Sequence, residues 1–256
     1  MSDIRTRREP PHFRRVRLAR LTEQTPHLVR VTLTGDELAG LDPGLPAASV
    51  RLLLPRDSHG LVVPTWNGNE FLFDDGSRPP IRTLTPLRLD GVAHELDVAV
   101  VRHGEAPLSS WVDAAAPGDE VAVAGTGRGY EIDPAARSYL LAGDESALPA
   151  IGVLLDALPA DAAVRVLVEA RDADRLDLPV HPGATLTASE PAPGRPGAAL
   201  VDLVVRQPDL GADVRVWAAG EAAAVQAIRR HLFEDRGLPR SQAVVRGYWK
   251  IGRRGG

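Results

Sequence analysis

The chain has 256 residues, 44% hydrophobic and 25% charged, with a formal net charge of -4 at pH 7. This composition is typical of a globular protein with a sizeable core, and the length suits two domains. Cysteine is absent, which excludes disulfides, iron–sulfur clusters and thiolate ligands to metals. Any redox chemistry therefore requires a bound cofactor.

Charge and hydropathy argue against nucleic acid and membrane partners. A net negative chain has no general attraction to nucleic acid, and the basic residues of positions 5 to 20 are interpreted as a solvated arm. No segment approaches the ~20 apolar residues of a membrane span, and the N-terminus lacks the apolar segment of a signal peptide. We therefore expect a cytoplasmic protein, and we expect it to be a monomer.

The first half predicts short strands separated by turns. Alternation over residues 14–21 and 28–33 is typical of half-buried strands, and Thr25-Pro26 indicates the turn between them. We expect a six-stranded antiparallel β-barrel in a domain of residues 10–133. The other four strands are predicted at residues 50–54, 81–85, 96–101 and 120–124.

The second half predicts an open α/β nucleotide-binding domain over residues 137–256, ending in a C-terminal tail. A strand, a helix and a second strand in succession form a βαβ unit. The Gly- and Pro-rich segment 181–198 is interpreted as a loop, and residues 200–205 as either a helix or a strand. The remaining elements are strands at 139–142, 164–170 and 214–218 and helices at 147–158 and 222–233.

The first motif is R-T-L-T-P at residues 82–86. Alternation places Arg82 and Leu84 on one face. We expect Pro86 to end the ladder where Thr85 turns its hydroxyl toward a ligand. Arg82, Thr83, Leu84 and Thr85 thus form a candidate site for a phosphate and a ring, with a plain edge strand as the alternative.

The second motif, H-G-E-A-P-L-S-S-W at residues 103–111, joins a strand to a short helix that Ser109 would cap. Free N–H groups at a helix start favour an anion such as a pyrophosphate. The alternative is an ordinary surface helix with a capping serine. The candidate residues are His103, Gly104, Ser109, Ser110 and Trp111.

Two strand–glycine–helix segments follow, at residues 139–150 and 216–221. Gly143 allows a tight turn that a dinucleotide phosphate can approach, although the G-x-G-x-x-G pattern is absent. Asp144 and Glu145 would repel a phosphate that they faced, so we expect them to cap the helix or to face the nicotinamide or substrate side. The second segment contributes the candidates Ala219, Gly220 and Glu221.

The last motif is G-Y-W-K-I-G at residues 247–252, which contains the chain's single lysine. Tyr248, Trp249 and Lys250 either cover a cofactor or anchor the tail.

Together these segments resemble the siderophore-interacting protein family of the ferredoxin-reductase-like superfamily, over roughly residues 14 to 252. The most specific matches are L-L-A-G-D-E-S-A-L-P-A at 140–150, W-A-A-G-E at 217–221 and G-Y-W-K-I-G at 247–252. H-G-E-A-P-L-S-S-W and P-G-D-E-V add to the resemblance.

The resemblance implies a reductase of ferric siderophores or ferric chelates that binds FAD on the barrel and NADPH or NADH on the α/β domain. By the family pattern, Arg82 touches the FAD phosphates, Thr85 the flavin edge, and the 103–111 segment the pyrophosphate. Residues 143–145 line the nicotinamide-side cleft, and residues 248–250 cover the flavin or meet the nicotinamide nucleotide or an anionic ligand. We expect the groove between the two halves to seat the isoalloxazine ring.

The chain departs from the family pattern in two places. Leu84 replaces an aromatic residue, which forfeits about 0.5–1.5 kcal/mol of ring stacking and predicts weaker FAD binding. Residues 125–129, G-T-G-R-G, replace a Gly-Pro pair. We expect them to leave the barrel exit flexible, with Arg128 beside the cleft.

The choice of nicotinamide depends on the residues after the second α/β strand. An acid there suits a free ribose hydroxyl and an arginine suits a 2′-phosphate. The family resemblance and the two arginines in this segment, Arg171 and Arg175, favour NADPH. The residues concerned are Glu169, Arg171, Asp172 and Arg175.

Two other functions stay open. One is a flavin reductase or electron-transfer module with a non-iron acceptor, and the other is a binding protein that has lost its cofactor, as Leu84 suggests. The reductase needs no catalytic acid or base, because a flavin carries the electrons itself. The seven histidines show no ligand spacing, so we expect no metal site.

Overall fold

The computed structural model describes residues 12–56, 60–102, 106–173 and 176–252. The first half forms an antiparallel sheet and the second half a parallel sheet. The elements of the first half are β1 (Phe13–Thr25), β2 (Leu28–Thr34), β3 (Val50–Leu53), β4 (Thr65–Trp66), β5 (Phe71–Leu72), β6 (Ile81–Leu84), β7 (Pro86–Asp90), β8 (Glu95–Val101), α1 (Pro107–Ala114) and β9 (Glu120–Ala124).

The antiparallel sheet is curled. Its seven strands lie in the order β6-β3-β9-β1-β2-β8-β7, and a separate ladder joins β4 and β5. The two edge strands, β6 and β7, are consecutive in the chain and are separated only by Thr85. Alternate residues such as Val29, Val31 and Leu33 of β2 point into a buried core. The predicted antiparallel barrel is therefore confirmed, but its sheet has seven strands rather than six, because β7 was not predicted.

Two local expectations about this half need correction. The ladder between β6 and β3 does end before Pro86, at Leu84, but Pro86 also begins β7, where its Cα lies opposite Val98. A proline is tolerated at the first residue of an edge strand, because no ladder donor is needed there. Ser109 does not cap α1, because the helix begins at Pro107 after Ala106. Proline suits the first helical position, since its φ angle is already helical and the missing N–H has no partner there.

The second half forms the predicted open α/β sheet. Its five parallel strands lie in the order β12-β11-β10-β13-β14. The elements are β10 (Ser138–Asp144), α2 (Leu148–Ala157), β11 (Ala163–Glu169), β12 (Ala184–Ser189), α3 (Ala198–Val205), β13 (Arg215–Glu221), α4 (Ala222–Arg230) and β14 (Ala243–Trp249).

Helices cover both faces of this sheet. Tyr139 and Leu141 of β10 pack with α2, whereas Leu140 and Ala142 pack on the opposite face with α3 and α4. Burial on both faces explains why the central strands are continuously apolar rather than alternating. No helix within the described ranges is long and apolar enough to cross a bilayer.

The structure corrects three assignments in this half and settles a fourth. Segment 181–198 is not all loop, because it contains β12, and the C-terminal tail contains β14. Residues 200–205, left open as helix or strand, belong to α3. The helix predicted over 222–233 leaves α-helical geometry after Arg230 and continues as the π-helical turn His231–Asp235.

Candidate functional site

The carboxyl ends of three neighbouring parallel strands meet at one edge of the second sheet. Asp144 ends β10, Glu221 ends β13 and Trp249 ends β14. Because the strands are parallel and adjacent, residues 105 positions apart come into contact there. Ligands of open α/β sheets bind outside this edge. The structure therefore brings together the predicted segments 143–145, 219–221 and 248–250.

Asp144 is the most heavily bonded side chain of this edge. Its Oδ1 accepts from the backbone N of Ser146 at 3.0 Å and from the Ser146 hydroxyl at 2.5 Å. Its Oδ2 accepts from the backbone N of Glu221 and from Nε1 of Trp249, both at 2.8 Å. Burial raises the pKa of the Asp144 carboxyl, and these donors oppose the rise. Asp144 thus caps the turn and also anchors the C-terminal strand.

Two glycines make this packing possible. A Cβ on Gly220 would lie 2.6 Å from Oδ2 of Asp144, at a φ of +152°. A Cβ on Gly143 would lie 2.4 Å from Cβ of Ala147 and 3.1 Å from the carbonyl oxygen of Ala219. Only glycine lets β10, β13 and the start of the next helix approach this closely.

The other acidic candidates are also committed to local hydrogen bonds. Oε2 of Glu221 accepts from the backbone N of Ala223 at 2.5 Å and of Ala224 at 3.0 Å, so Glu221 caps α4. Glu145 pairs with Arg171, with Nη2 to Oε2 at 2.7 Å. A phosphate at this edge would not meet free carboxylates from these residues.

On the antiparallel sheet, Arg82 is a half-buried cation. Its Nη1 donates to the carbonyl oxygen of its neighbour Ile81 at 2.7 Å. Burial lowers the pKa of the guanidinium. Within the described ranges no carboxylate lies within salt-bridge distance of it. Of the same motif, Leu84 packs against the barrel core and Thr83 is exposed.

Thr85 and Tyr248 join the two halves of the chain. The Thr85 hydroxyl lies close enough to Tyr248 to oppose the rise in the pKa of its phenol, and Thr85 is only 7% exposed. The ring of Tyr248 also meets Trp217 edge-on, with centroids 6.2 Å apart. Burial of its hydroxyl raises the pKa of Tyr248, although about a third of the residue stays exposed. Lys250, two residues after Tyr248, is exposed.

The second motif is only partly visible in the structure. His103 and Gly104 lie outside the described residues. Ser109 is buried within α1, Ser110 donates its backbone N–H to the carbonyl oxygen of Ala106 at 2.9 Å, and Trp111 packs against the barrel core. Within the described part of the chain no side chain caps the start of α1.

The barrel exit was expected to be flexible, and the structure corrects this. The backbone N of Gly127 donates to the carbonyl oxygen of Ser49 at 2.6 Å. A Cβ on Gly129 would lie 2.6 Å from atoms of Leu45. Arg246 of β14 donates to the carbonyl oxygens of Arg128 and Gly129 at 3.0 and 2.9 Å. These contacts hold the exit against both sheets.

The three described residues considered for nicotinamide choice make other contacts. Glu169 is buried and accepts from the backbone N of Gly197 at 2.6 Å and of Leu200 at 2.9 Å. These bonds commit it to the start of α3, so it is not a free acid for a ribose hydroxyl. Arg171 is paired with Glu145, and Asp172 lies 3.9 Å from Nε2 of His27 in the first half. Arg175 lies outside the described residues.

A groove of about 150 Å³ opens between the two halves. Its walls are the outward-facing side of β2 and β8, which includes Val101, and helix α2, which includes Val153. Glu145 and Arg171 also line it, and among the described candidate cofactor residues Glu145 alone does so. The interface between the halves therefore contains open space.

A curled antiparallel sheet followed by a five-stranded parallel sheet, with glycine turns at their junction, defines a ferredoxin-reductase-like fold. Residues 17–130 match the family model described as the siderophore-interacting FAD-binding domain, and residues 136–252 match the one described as siderophore-interacting protein. The chain therefore belongs to the siderophore-interacting protein family.

Relatives and solved structures agree with this assignment. A siderophore utilization protein from T. fusca superposes with a TM-score of 0.84 at 33% identity and covers 95% of both chains. The ferric vibriobactin reductase ViuB of Vibrio cholerae is 28% identical over 233 residues, which are 89% of this chain and 85% of the relative. The NADPH-dependent ferric-chelate reductase of Escherichia coli is 29% identical over 246 residues, 93% and 92% of the two chains.

Proposed function

We propose that this protein is an NAD(P)H-dependent flavin reductase that reduces a ferric siderophore or ferric chelate through bound FAD and so releases the iron. The names of the Vibrio and Escherichia relatives support the reaction, and the FAD-binding family model supports the cofactor. The "NADPH-dependent" Escherichia relative favours NADPH as the hydride donor. We place this activity in the cytoplasm.

The observation that carries the proposal is the half-buried guanidinium of Arg82. Among the described residues it has no acidic partner, and burial already disfavours its charge. A desolvated cation is costly unless an anion pairs with it. An FAD diphosphate supplies such an anion and can accept charged hydrogen bonds from the guanidinium.

The remaining flavin-side residues fit the same cofactor. Thr85 directly follows β6, the strand that carries Arg82, and the start of α1 is a helix N-terminus, which favours an anion such as a phosphate. FAD, when bound, supplies hydride acceptance and one-electron release. The chain's own task is to hold the diphosphate through Arg82 and residues 103–111 and to position the ring near Thr85.

The nicotinamide side is the edge where β10, β13 and β14 end. Gly143, Ala219 and Gly220 lie buried at this edge, and Asp144, Glu145 and Glu221 fix its shape by hydrogen bonds. Tyr248 and Trp249 cover the junction, and Lys250 offers a cation to a phosphate or to an anionic chelate. No side chain here needs to transfer a proton.

The direct test is spectroscopic. We expect the purified protein to be yellow or to take up added FAD, to bleach on anaerobic addition of NADPH, and to recover its colour when a ferric chelate is added. Turnover with quinones or free flavin and negligible rates with every ferric chelate would indicate a non-iron acceptor. A colourless protein that fails to take up FAD would indicate a binding protein instead.

A variant pair tests the role of Arg82. Arg82→Ala should lose most of its FAD, whereas Arg82→Lys should keep part of it because the positive charge remains. Arg51→Ala is the matched control: Arg51 is exposed on the neighbouring strand β3, opposite Thr83. An Arg82→Ala protein with the full FAD content of the wild type would refute the role.

A further inference from the structure

Arg171 touches both halves of the molecule. It follows β11 in the parallel sheet, and its Nε donates to Oε1 of Glu145 at 2.9 Å while Nη2 donates to Oε2 at 2.7 Å. The same Nη2 donates to the backbone carbonyl oxygen of Arg102 at 3.1 Å. The backbone N of Arg171 also donates to Oε1 of Glu145, at 2.7 Å. The side chain of Arg171 therefore connects residue 102, directly after β8, to the turn that follows β10.

The two ends of this bridge lie next to the two proposed cofactor sites. Arg102 directly precedes the 103–111 segment, which is proposed to hold the FAD diphosphate. Glu145 directly follows Asp144 at the edge proposed for the nicotinamide. The position of Arg171 therefore links the flavin side to the nicotinamide side.

Nearby contacts hold the same junction. Asp172 lies 3.9 Å from Nε2 of His27, and the carbonyl oxygen of His27 accepts from the backbone N of Arg102 at 2.7 Å. The loop after β11 thus reaches the β1–β2 turn and residue 102 together. This arrangement is a tertiary contact between the two halves of the chain.

The positive charge of Arg171 is already paired with the carboxylate of Glu145. Its guanidinium forms a two-point pair with one carboxylate, and that carboxylate is mostly buried. A bidentate pair of this kind is geometrically specific. A 2′-phosphate could bind Arg171 only by competing with Glu145 and by giving up the contact to Arg102.

We propose that Arg171 is a positioning residue that holds the flavin-binding segment at residue 102 in register with the nicotinamide-side turn at Glu145, and that it does not read the 2′-phosphate of NADPH. This inference rests on the proposed reductase function. It assigns to Arg171 a role in setting the distance between the nicotinamide, which donates the hydride, and the flavin, which accepts it. Arg171 has no role in the choice between NADPH and NADH.

Stopped-flow reduction of the FAD-loaded protein by NADPH and by NADH separates the two roles. We expect Arg171→Ala to slow flavin reduction by about tenfold with both donors, the factor that about 1.4 kcal/mol represents, because one charged contact is lost. The ratio of kcat/KM for NADPH to that for NADH should stay that of the wild type. A loss confined to NADPH would overturn the proposal.

Three further variants sharpen the result. Arg171→Lys should recover part of the rate, since it retains the charge but not the fork of donors. Arg171→Ala combined with Glu145→Ala should be no slower than Arg171→Ala alone, because the two side chains act as one unit. Arg165→Ala is the control: Arg165 lies on β11 away from the junction, where it donates to the carbonyl oxygens of Asp209 and Leu210. Its rates should match the wild type.

A second readout is independent of turnover. Hydrogen–deuterium exchange of the backbone amides around residue 102 should be faster in Arg171→Ala than in the wild type or in Arg165→Ala, with and without FAD. Equal exchange in all three proteins would overturn the proposal. Wild-type protein that takes no hydride from NADPH or NADH would defeat the reductase function alone, and the exchange data would still decide whether Arg171 holds residue 102.

Discussion

Nε1 of Trp249 donates a 2.8 Å hydrogen bond to Oδ2 of Asp144, across 105 positions of the chain. The bond ties the end of the last strand to the end of the first strand of the parallel sheet. It also fixes the neighbouring residue Tyr248, whose side chain reaches Thr85 of the barrel. The arrangement of the cleft therefore depends on one buried carboxylate.

Replacing this carboxylate should loosen the C-terminal strand. In Asp144→Asn one acceptor oxygen becomes an NH₂ group that faces N–H donors, so we expect a loss of about 2–3 kcal/mol in unfolding free energy. Urea unfolding measures the loss. Trp249→Phe, which removes one of the four donors, should cost less. Equal stability of Asp144→Asn and the wild type would contradict this role.

Glycine at position 220 is required by contact as well as by backbone angle. A Cβ there would meet Asp144 at 2.6 Å, whereas a Cβ on Gly211, at a φ of +80°, would meet nothing within 4 Å. Gly211→Ala suffers the cost of a left-handed backbone, about 1–2 kcal/mol, and Gly220→Ala suffers a backbone cost at its φ of +152° in addition to the contact. Gly220→Ala should lose clearly more stability in thermal unfolding than Gly211→Ala. Equal losses would show that the contact is unimportant.

Leu84 is expected to limit the affinity for FAD. Leu84→Tyr restores the aromatic residue of the family pattern and should tighten FAD binding by about 0.5–1.5 kcal/mol through ring stacking. Titration followed by flavin fluorescence gives the two dissociation constants. Leu84→Ala, which removes packing against the barrel core, is the opposite control and should weaken binding. Tighter binding by the alanine variant would refute the explanation.

Because the phenol of Tyr130 is buried, we expect the folded protein to lose stability at high pH. It is 6% exposed, and burial raises the pKa of its phenol from 10.0 to about 12. Because the folded pKa is the higher one, this stabilisation is complete below pH 10 and is lost as the pH rises from 10 towards 12. The full loss is about 2–3 kcal/mol, at 1.36 kcal/mol for each pKa unit. Tyr130→Phe should lack this loss in urea unfolding at pH 9 to 11, and an unchanged pH slope would contradict the assignment.

Most of the fold could be predicted from the sequence, because its strands carry a clear apolar pattern. The alternation of β2 and the continuous apolar run of β10 predict strands with one and two buried faces, respectively. β12 was missed because its residues, A-T-L-T-A-S, are largely exposed at the sheet edge and carry no such pattern. Ser109 was misread as a cap because Pro107 starts the helix two residues earlier.

The candidate site was predictable only as far as single segments allow. Glycine turns after strands indicated residues 143 and 220, and parallel strands bring such turns to one edge. The partners of Arg171 were not predictable, since they depend on how two sheets dock. The same holds for Glu169, whose strand-end position suits a ribose contact but whose carboxylate is taken up by the start of α3.

Thr85 lies in the gap between β6 and β7, the two margins of the curled sheet. A ligand that binds at Thr85 therefore contacts both edge strands at once and stabilises the closed form of the barrel. Its binding free energy adds to the stability of the folded domain in proportion to the logarithm of its concentration over its dissociation constant. Flavin supply would thus govern how long this half of the protein survives heat or proteolysis, in addition to its capacity for electron transfer.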